Sequence, residues 1–213
     1  MKIRLPLVVV LVSMFWISQY QREPWDVVVK KLQRSTVPIT CSVHGIPMCS
    51  AFSINEPAGL YLTVNHCIQP FLSDEGQPEV PYLDGRPLDV VFVNEALDLA
   101  IVRSTTRRPA LYYRQAPFGT GTSVASFGYA YGMPTPLFRT AQVAGVFYDP
   151  ERVEWMALDN ALIGGMSGGP IVDRFGRVVG INDKSDYTTG FSISLRELKD
   201  ATEFWGEELA YEY

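Results

Sequence analysis

The chain has 213 residues, of which 47% are hydrophobic and 19% are charged. It can therefore bury a sizeable core within one domain, or within one unit made of two fused lobes. Its net charge is -5, and it contains no long run of Lys or Arg. Because phosphate binding needs clustered positive charge, this composition argues against a nucleic acid partner.

Residues 1–24 differ from the rest of the chain. Lys2 and Arg4 precede an apolar run from Leu5 to about Ile17, which is the layout of a secretory signal. The run is shorter than the ~20 residues of a membrane-spanning helix, and no clear cleavage site follows it. We expect a signal peptide or a retained membrane anchor. The alternative is a buried element of a cytosolic protein. Either leading interpretation predicts a secreted, periplasmic or membrane-anchored protein.

From Thr36 onwards, short runs rich in Val, Ile, Phe, Tyr and Thr alternate with Gly, Pro, Asn and Asp, and no helix-like segment separates them. This punctuation is typical of an all-β sandwich or of barrels. About eleven strands are expected, at Thr36–Val43, Ser50–Ile54, Leu60–Val64, Val90–Val93, Leu99–Val102, Ser123–Tyr129, Gln142–Phe147, Glu154–Leu158, Pro170–Val172, Val178–Asn182 and Phe191–Ile193.

Helices are expected only at the two ends of this β region. The first would cover Trp25–Gln33, and the second about 194–206, where Ser194 followed by Glu197 has the pattern of a capping box. Residues 207–213 form an acidic tail, and the Gly- and Pro-containing stretch Gln115–Gly121 is the expected link between two lobes.

A glycine-rich turn around Ser167 is the first candidate for chemistry. Glycines on both sides expose the serine and permit unusual backbone angles. The N–H groups of Gly165 and Ser167 can then converge on one point, as an oxyanion hole requires. An ordinary glycine-rich turn is the alternative.

A serine nucleophile needs a base, and the chain contains two histidines, His44 and His66, both before Ser167. The α/β-hydrolase order of Ser, acid and His therefore fails. His66 follows an apolar run that a strand can hold rigidly, whereas His44 lies in an expected hairpin tip. We assign His66 as the base and His44 to the surface.

Asp98 opens the apolar run Leu99–Val102. A carboxylate beside such a run is partly buried and needs a partner, which the imidazole N–H of His66 supplies. A turn aspartate that caps the strand is the alternative. Asp89 is a weaker candidate, because a further strand separates it from His66.

Together the segments around His66, Asp98 and Ser167 resemble the trypsin-like serine peptidases, most closely their Deg/HtrA branch. The resemblance spans about residues 35–200 in the family's order. It implies two six-stranded antiparallel β-barrels (about 35–114 and 120–194) and a C-terminal helix, within a protease domain at 25–206. It also implies hydrolysis of protein or peptide substrates through an acyl-enzyme, without a cofactor.

The sequence departs from the family pattern at several positions, and these differences predict how the protein differs from its relatives. The chain ends about 46 residues after Ser167, so we expect no C-terminal peptide-binding PDZ domain. Met166 occupies the position of the Asp that pairs with a new N-terminus in digestive enzymes, so we expect no such activation. By alignment with the family, Ala161, Ile163 and Gly190 line the substrate pocket, which predicts small or medium apolar side chains before the cut.

Cysteine usage fits an oxidising compartment with one disulfide, for which three cysteines allow three pairings. The resemblance to digestive enzymes implies the pair Cys49–Cys67, with Cys41 outside it. A zinc site that uses the cysteines and His44 matches no paired-ligand spacing, so no metal is expected.

Two other functions remain open on sequence grounds. One is a protease-fold binding protein that has lost activity, which the presence of all three triad residues and the oxyanion glycine disfavours. The other is a viral protease that processes its own polyprotein, which the short form and the apolar N-terminus would suit.

Overall fold

The structure, a computed structural model, describes residues 25–72, 80–114, 118–194 and 196–199. These residues form the α-helix α1 (Trp25–Ser35), a second α-helical segment at 196–199, two short 3-10 helices and twelve strands. The strands are β1 Thr36–Thr40, β2 Cys49–Asn55, β3 Leu60–Val64, β4 Tyr82–Leu83, β5 Arg86–Asn94, β6 Leu99–Ser104, β7 Ser123–Gly128, β8 Leu137–Tyr148, β9 Glu154–Leu158, β10 Pro170–Asp173, β11 Val178–Ser185 and β12 Gly190–Ser194.

The twelve strands close into two six-stranded antiparallel barrels. The first has the order β1-β2-β3-β6-β5-β4, and the second has the order β10-β11-β12-β9-β8-β7. The predicted fold of two barrels is therefore confirmed. Closure leaves no sheet edge, and the inward-facing side chains of each barrel fill its core.

Helix α1 precedes the first barrel and packs by one face. Val28, Leu32 and Ser35 are buried, and their spacing of four and three residues places them on the same side of the helix. Trp25 at its start packs edge to face on Phe138 of β8, with ring centroids 5.3 Å apart. The helix therefore contacts both barrels.

Strand β4 is the one strand that the sequence patterns did not indicate. It has two residues, which is too short for any alternation to be visible. Its pairing with β1 (Ile39 opposite Leu83) and with β5 (Leu83 opposite Arg86) closes the first barrel. Long-range pairing, rather than local propensity, makes this segment a strand.

The predicted capping box at the C-terminal end is wrong. Ser194 is the last residue of β12, and its hydroxyl donates to Glu154 Oε1 at 2.6 Å. The Glu197 carboxylate accepts the backbone N–H of Glu154 at 3.0 Å. Both side chains therefore bond to Glu154 of β9, whereas a capping box needs each of them to bond to the backbone N–H of the other residue. Residues 196–199 are helical, and the rest of the expected helix lies outside the described residues.

The expectations for residues 1–24 and for the first three residues of the Gln115–Gly121 link also fall outside the described part of the chain. Within that part, no helix is both long enough and apolar enough to cross a membrane.

Candidate active site

His66 and Asp98 form a close acid–base pair on the first barrel. The Asp98 carboxylate accepts the backbone N–H of His66 at 2.8 Å through Oδ1, and its Oδ2 lies 2.6 Å from His66 Nδ1. With Nδ1 committed as the donor to Asp98, Nε2 is the nitrogen that can accept a proton. The pair is thus oriented for general base chemistry.

The local structure explains how His66 and Asp98 are positioned. His66 lies in a 3-10 helix (Asn65–Cys67) directly after β3, and Asp98 ends the turn that leads into β6. Asp98 has a φ of 50°, a left-handed conformation that Asp tolerates better than most residues. Strands β3 and β6 pair with Val64 opposite Leu99, so the residues that follow and precede them meet at one end of the barrel.

Hydrogen bonding sets the charges of this pair. The bond to Asp98 is the main cause that holds the pKa of His66 above its ordinary value, against the opposing effect of burial. Burial raises the pKa of Asp98, but the hydrogen bonds from the His66 ring and backbone outweigh it, so that this pKa lies below its ordinary value. Asp98 is therefore charged at neutral pH and stabilises a protonated His66.

Ser167 lies on a tight turn of the second barrel that only glycine permits. Gly165 and Gly168 have φ values of 90° and 80°, which side-chain-bearing residues rarely adopt. A Cβ on Gly168 would lie 2.1 Å from the backbone oxygen of Ser50 and 2.3 Å from Thr63 Oγ1. The Ser167 turn therefore packs directly on the first barrel at Gly168.

Ser50, buried in β2, binds this turn across the barrel interface. Its N–H donates to the carbonyl of Ser167 at 2.8 Å, and its hydroxyl donates to the carbonyl of Gly165 at 3.0 Å. The same hydroxyl accepts the N–H of Tyr129 at 2.8 Å. Asn182 supports the turn from the other side through the carbonyl of Met166, at 3.2 Å.

The Ser167 hydroxyl donates to the carbonyl oxygen of Asp183 at 2.9 Å. Among the described residues it makes no hydrogen bond to His66. Hydrogen bonds of this kind are often long or absent in unliganded sites and form in the substrate complex.

The expected oxyanion donors, Gly165 and Ser167, have N–H groups that bond to no acceptor in the described residues. The carbonyl of Gly164 accepts the N–H of Tyr131 at 2.7 Å. A trans peptide holds its C=O and N–H on opposite sides, so the N–H of Gly165 faces away from Tyr131. Within the described residues, neither N–H group is therefore taken up by a backbone acceptor.

A cleft of about 480 Å³ lies beside Ser167. Its lining residues are Leu162, Ile163, Gly164, Ser167, Asp183, Lys184, Ser185, Asp186 and Tyr187. Of the three expected pocket residues, Ile163 is among them, whereas Ala161 and Gly190 are not. A Cβ on Gly190 would lie 2.9 Å from Leu162 Cγ, so the Leu162 side chain fills the space in front of Gly190. The alignment did not anticipate this.

Asp183 stands out in the cleft because its side chain is only 2% exposed. Its Oδ1 lies 3.8 Å from His66 Nδ1. Burial, together with the nearby charge of Asp98, raises the pKa of Asp183 to about 7.

A disulfide joins Cys49 and Cys67, with 6.0 Å between their Cα atoms. It links β2 to the residue after His66. Closing a loop of 18 residues contributes about 3 kcal/mol to stability in the chain-entropy description. Both thiols are consumed in the disulfide, so they are not available as zinc ligands. His44 is exposed, as expected.

The sequence profile of the trypsin-like peptidase domain family matches residues 49–181. The chain belongs to this family. The matched segment contains all three candidate catalytic residues of this trypsin-like peptidase domain, together with both cysteines of the disulfide and Ser50.

Two curated relatives are similar over most of the chain. Putative serine protease HhoA of Synechocystis is 32% identical over 169 residues, which is 70% of this chain and 41% of that protein. Putative protease Do-like 14 of Arabidopsis thaliana is 29% identical over 159 residues, 65% of this chain and 37% of that protein. The chain thus spans less than half the length of either relative.

Solved structures share the fold at lower identity. The active form of the Rv3671c protease from M. tuberculosis superposes with a TM-score of 0.67 and 21% identity, covering 87% of this chain and 86% of that one. The HtrA-type protease AlgW with a decapeptide superposes with a TM-score of 0.70 and 16% identity. The superposition covers 87% of this chain and 68% of that one. The likeness to these structures shows the two-barrel fold.

Sequence reasoning missed the contacts that hold Ser167 in place. Ser50 and Asn182 lie in segments that resemble the family, yet nothing in their local pattern shows that they reach the Ser167 turn. Ser50 is 117 positions away from Ser167 in sequence, so only the packing of the two barrels brings them together.

Proposed function

We propose that the chain is a serine endopeptidase that uses Ser167 as nucleophile, His66 as general base and Asp98 to orient the histidine. The observation that carries the proposal is the pair of hydrogen bonds from His66 to Asp98, at 2.6 and 2.8 Å, beside the glycine turn of Ser167. An imidazole held by a carboxylate next to a serine on a glycine turn is the arrangement of acyl-transfer enzymes.

In the reaction, Ser167 Oγ attacks the carbonyl carbon of the peptide bond while His66 Nε2 takes the hydroxyl proton. The oxyanion of the tetrahedral intermediate accepts hydrogen bonds from the N–H groups of Gly165 and Ser167. His66 then gives its proton to the leaving amine, and the acyl-enzyme remains. Water, activated by the same histidine, releases the acid product and restores Ser167.

The cleft supports a preference for small or medium apolar side chains before the cut. Leu162 and Ile163 supply apolar surface, and Leu162 reduces the depth by filling the space at Gly190. The structure of AlgW was solved with a decapeptide, and we propose that this chain also binds a peptide, in the cleft beside Ser167. A cleavage profile dominated by Lys or Arg would contradict it.

The proposed site of action is outside the cytoplasm. The basic and apolar start of the sequence and the Cys49–Cys67 disulfide support it, because disulfides persist in oxidising compartments.

The test of activity is covalent labelling with a fluorophosphonate probe, followed by peptide mapping of the modified residue. We expect the probe to modify Ser167 and to leave the Ser167→Ala variant unlabelled. Heat-denatured protein is the second control, since activation of the serine needs the folded site. If the folded protein stays unlabelled, the proposed endopeptidase activity is refuted. The alternative of a binding protein with a protease fold is then favoured.

A further inference from the structure

Asp183 touches all three members of the candidate triad. Its carbonyl oxygen accepts the Ser167 hydroxyl at 2.9 Å. Its side-chain Oδ1 lies 3.8 Å from His66 Nδ1. The carboxylate oxygens of Asp98 and Asp183 and the His66 ring nitrogen all lie within 4.8 Å of one another. Two carboxyls and one imidazole therefore share one small site.

A β-bulge explains why the Asp183 side chain points inward. In the pairing of β11 with β12, Asn182 is opposite Ser192 and Lys184 is opposite Phe191. Asp183 is the extra residue between these pairs, and such a residue is re-aimed relative to its neighbours. The bulge buries the carboxyl beneath the His66–Asp98 pair instead of leaving it in the solvent.

The surroundings of this carboxyl do not suit a permanent negative charge. Its Oδ2 is buried and has no hydrogen-bond partner among the described residues. The groups with charge that face it are Asp98 and His66 from the first barrel and Lys184 from its own strand. The Lys184 ammonium is 3.9 Å away, its side chain is 62% exposed, and it also lies 4.0 Å from the Trp155 ring.

We propose that Asp183 is a positioning residue whose buried carboxyl carries a proton and donates it in a hydrogen bond to Asp98, and that its ionisation keeps His66 protonated. The proposal rests on the function proposed above. Two carboxylates this close cannot both be charged without cost, so one of them retains a proton. Asp98 is the charged member because it accepts two hydrogen bonds from His66, whereas Asp183 has an oxygen without a donor.

The pH dependence of the site follows from this arrangement. The pKa of Asp183 is raised to about 7, first by burial and then by Asp98. When Asp183 loses its proton as the pH rises, a second negative charge faces His66 and favours the imidazolium. Since only neutral His66 can act as the base, the enzyme gains full activity at a higher pH than the His66–Asp98 pair alone would give.

Two variants separate the two parts of the proposal. Asp183→Asn cannot ionise, yet its amide still donates to Asp98. Asp183→Ala removes both the charge and the donor. Asp89→Asn serves as the control, because Asp89 is an exposed acid of β5 and its change removes the same charge away from the site.

The first measurement is the titration of the histidine ring nitrogens by NMR in the Ser167→Ala background, where the chain's other histidine, exposed His44, is an internal reference. We expect Asp183→Asn to lower the pKa of His66 and to leave that of His44 unchanged. Asp89→Asn should change neither. An unchanged His66 pKa in Asp183→Asn would overturn the proposal whether or not the protein is an enzyme.

The second measurement is the rate of labelling by the fluorophosphonate from about pH 5 to pH 9. Asp183→Asn should move the acid limb of this profile to lower pH and keep the plateau within about threefold, while Asp183→Ala should lower the plateau roughly tenfold. Equal plateau losses in the two variants would exclude the hydrogen bond to Asp98. Absence of labelling in the unmodified chain at every pH would instead refute the proposed function.

Discussion

The first barrel holds its candidate catalytic side chains by bonds within itself, whereas the Ser167 turn of the second barrel is held both by Asn182 of its own barrel and by bonds to the first. His66 and Asp98 are joined directly by two hydrogen bonds, and a disulfide fixes the residue after His66 to β2. The Ser167 turn instead has its carbonyl groups bound by Ser50 of β2. The His66–Asp98 pair is therefore fixed within one barrel, whereas the position of Ser167 depends also on the interface between the barrels.

Substitutions in the two regions should therefore affect the candidate site in different ways. A change within the first barrel should alter the chemistry of His66 while the Ser167 turn keeps its shape. A change at the interface should displace Ser167 while the His66–Asp98 pair stays intact. The three variants below, ordered by expected loss of labelling by the fluorophosphonate, separate these outcomes.

Asp98→Asn should have the largest effect, a fall of about ten-thousandfold in the labelling rate. The amide keeps the size of the side chain but offers its NH₂ group to His66, which favours the wrong tautomer of the ring. Thermal unfolding should change little. Asp89→Asn is the matched control, because Asp89 is the weaker candidate partner of His66 in the sequence and is an exposed acid of β5. A comparable loss in that variant would show that overall charge, and not the pair, is responsible.

Gly168→Ala should reduce the labelling rate at least about a hundredfold, because a misplacement of about 1 Å at a reacting group costs that much. The new Cβ would meet the Ser50 carbonyl at 2.1 Å, and φ of 80° adds strain. Gly121→Ala is the control, since Gly121 has φ of 83° and nothing within 4 Å of an added Cβ. If both variants lose activity equally, backbone strain alone explains the effect.

Ser50→Ala should lower the labelling rate roughly tenfold and destabilise the fold by about 1–3 kcal/mol. The reason is that the carbonyl of Gly165 and the N–H of Tyr129 both lose the Ser50 hydroxyl as their hydrogen-bond partner. Ser53→Ala in the same strand is the control, because its hydroxyl donates to the Arg108 carbonyl within the first barrel. Chemical denaturation measures the stability of both. An undisturbed labelling rate in Ser50→Ala would show that the turn needs no support from the first barrel.

Much of the fold was predictable because its signals are local. Strands such as β3 and β9 have the bounds that the runs of strand-forming residues and the turn residues between them indicate. Strand β4 was not predictable, since two residues carry no period and only their partners on either side make them a strand. The capping box failed for a similar reason. Ser194 and Glu197 have a local pattern that suits each other, but β9 offers both of them competing partners.

The sequence by itself determined the family, the all-β class and the three candidate catalytic residues, because scarce histidines and ordered motifs are visible in one dimension. Only the tertiary structure decided that Ser50 supports the Ser167 turn, that Leu162 fills the space at Gly190, and that a bulge turns Asp183 towards His66. These contacts join residues far apart in the chain or depend on strand register. Their energies come from packing and desolvation, which arise only once the two barrels have closed against each other.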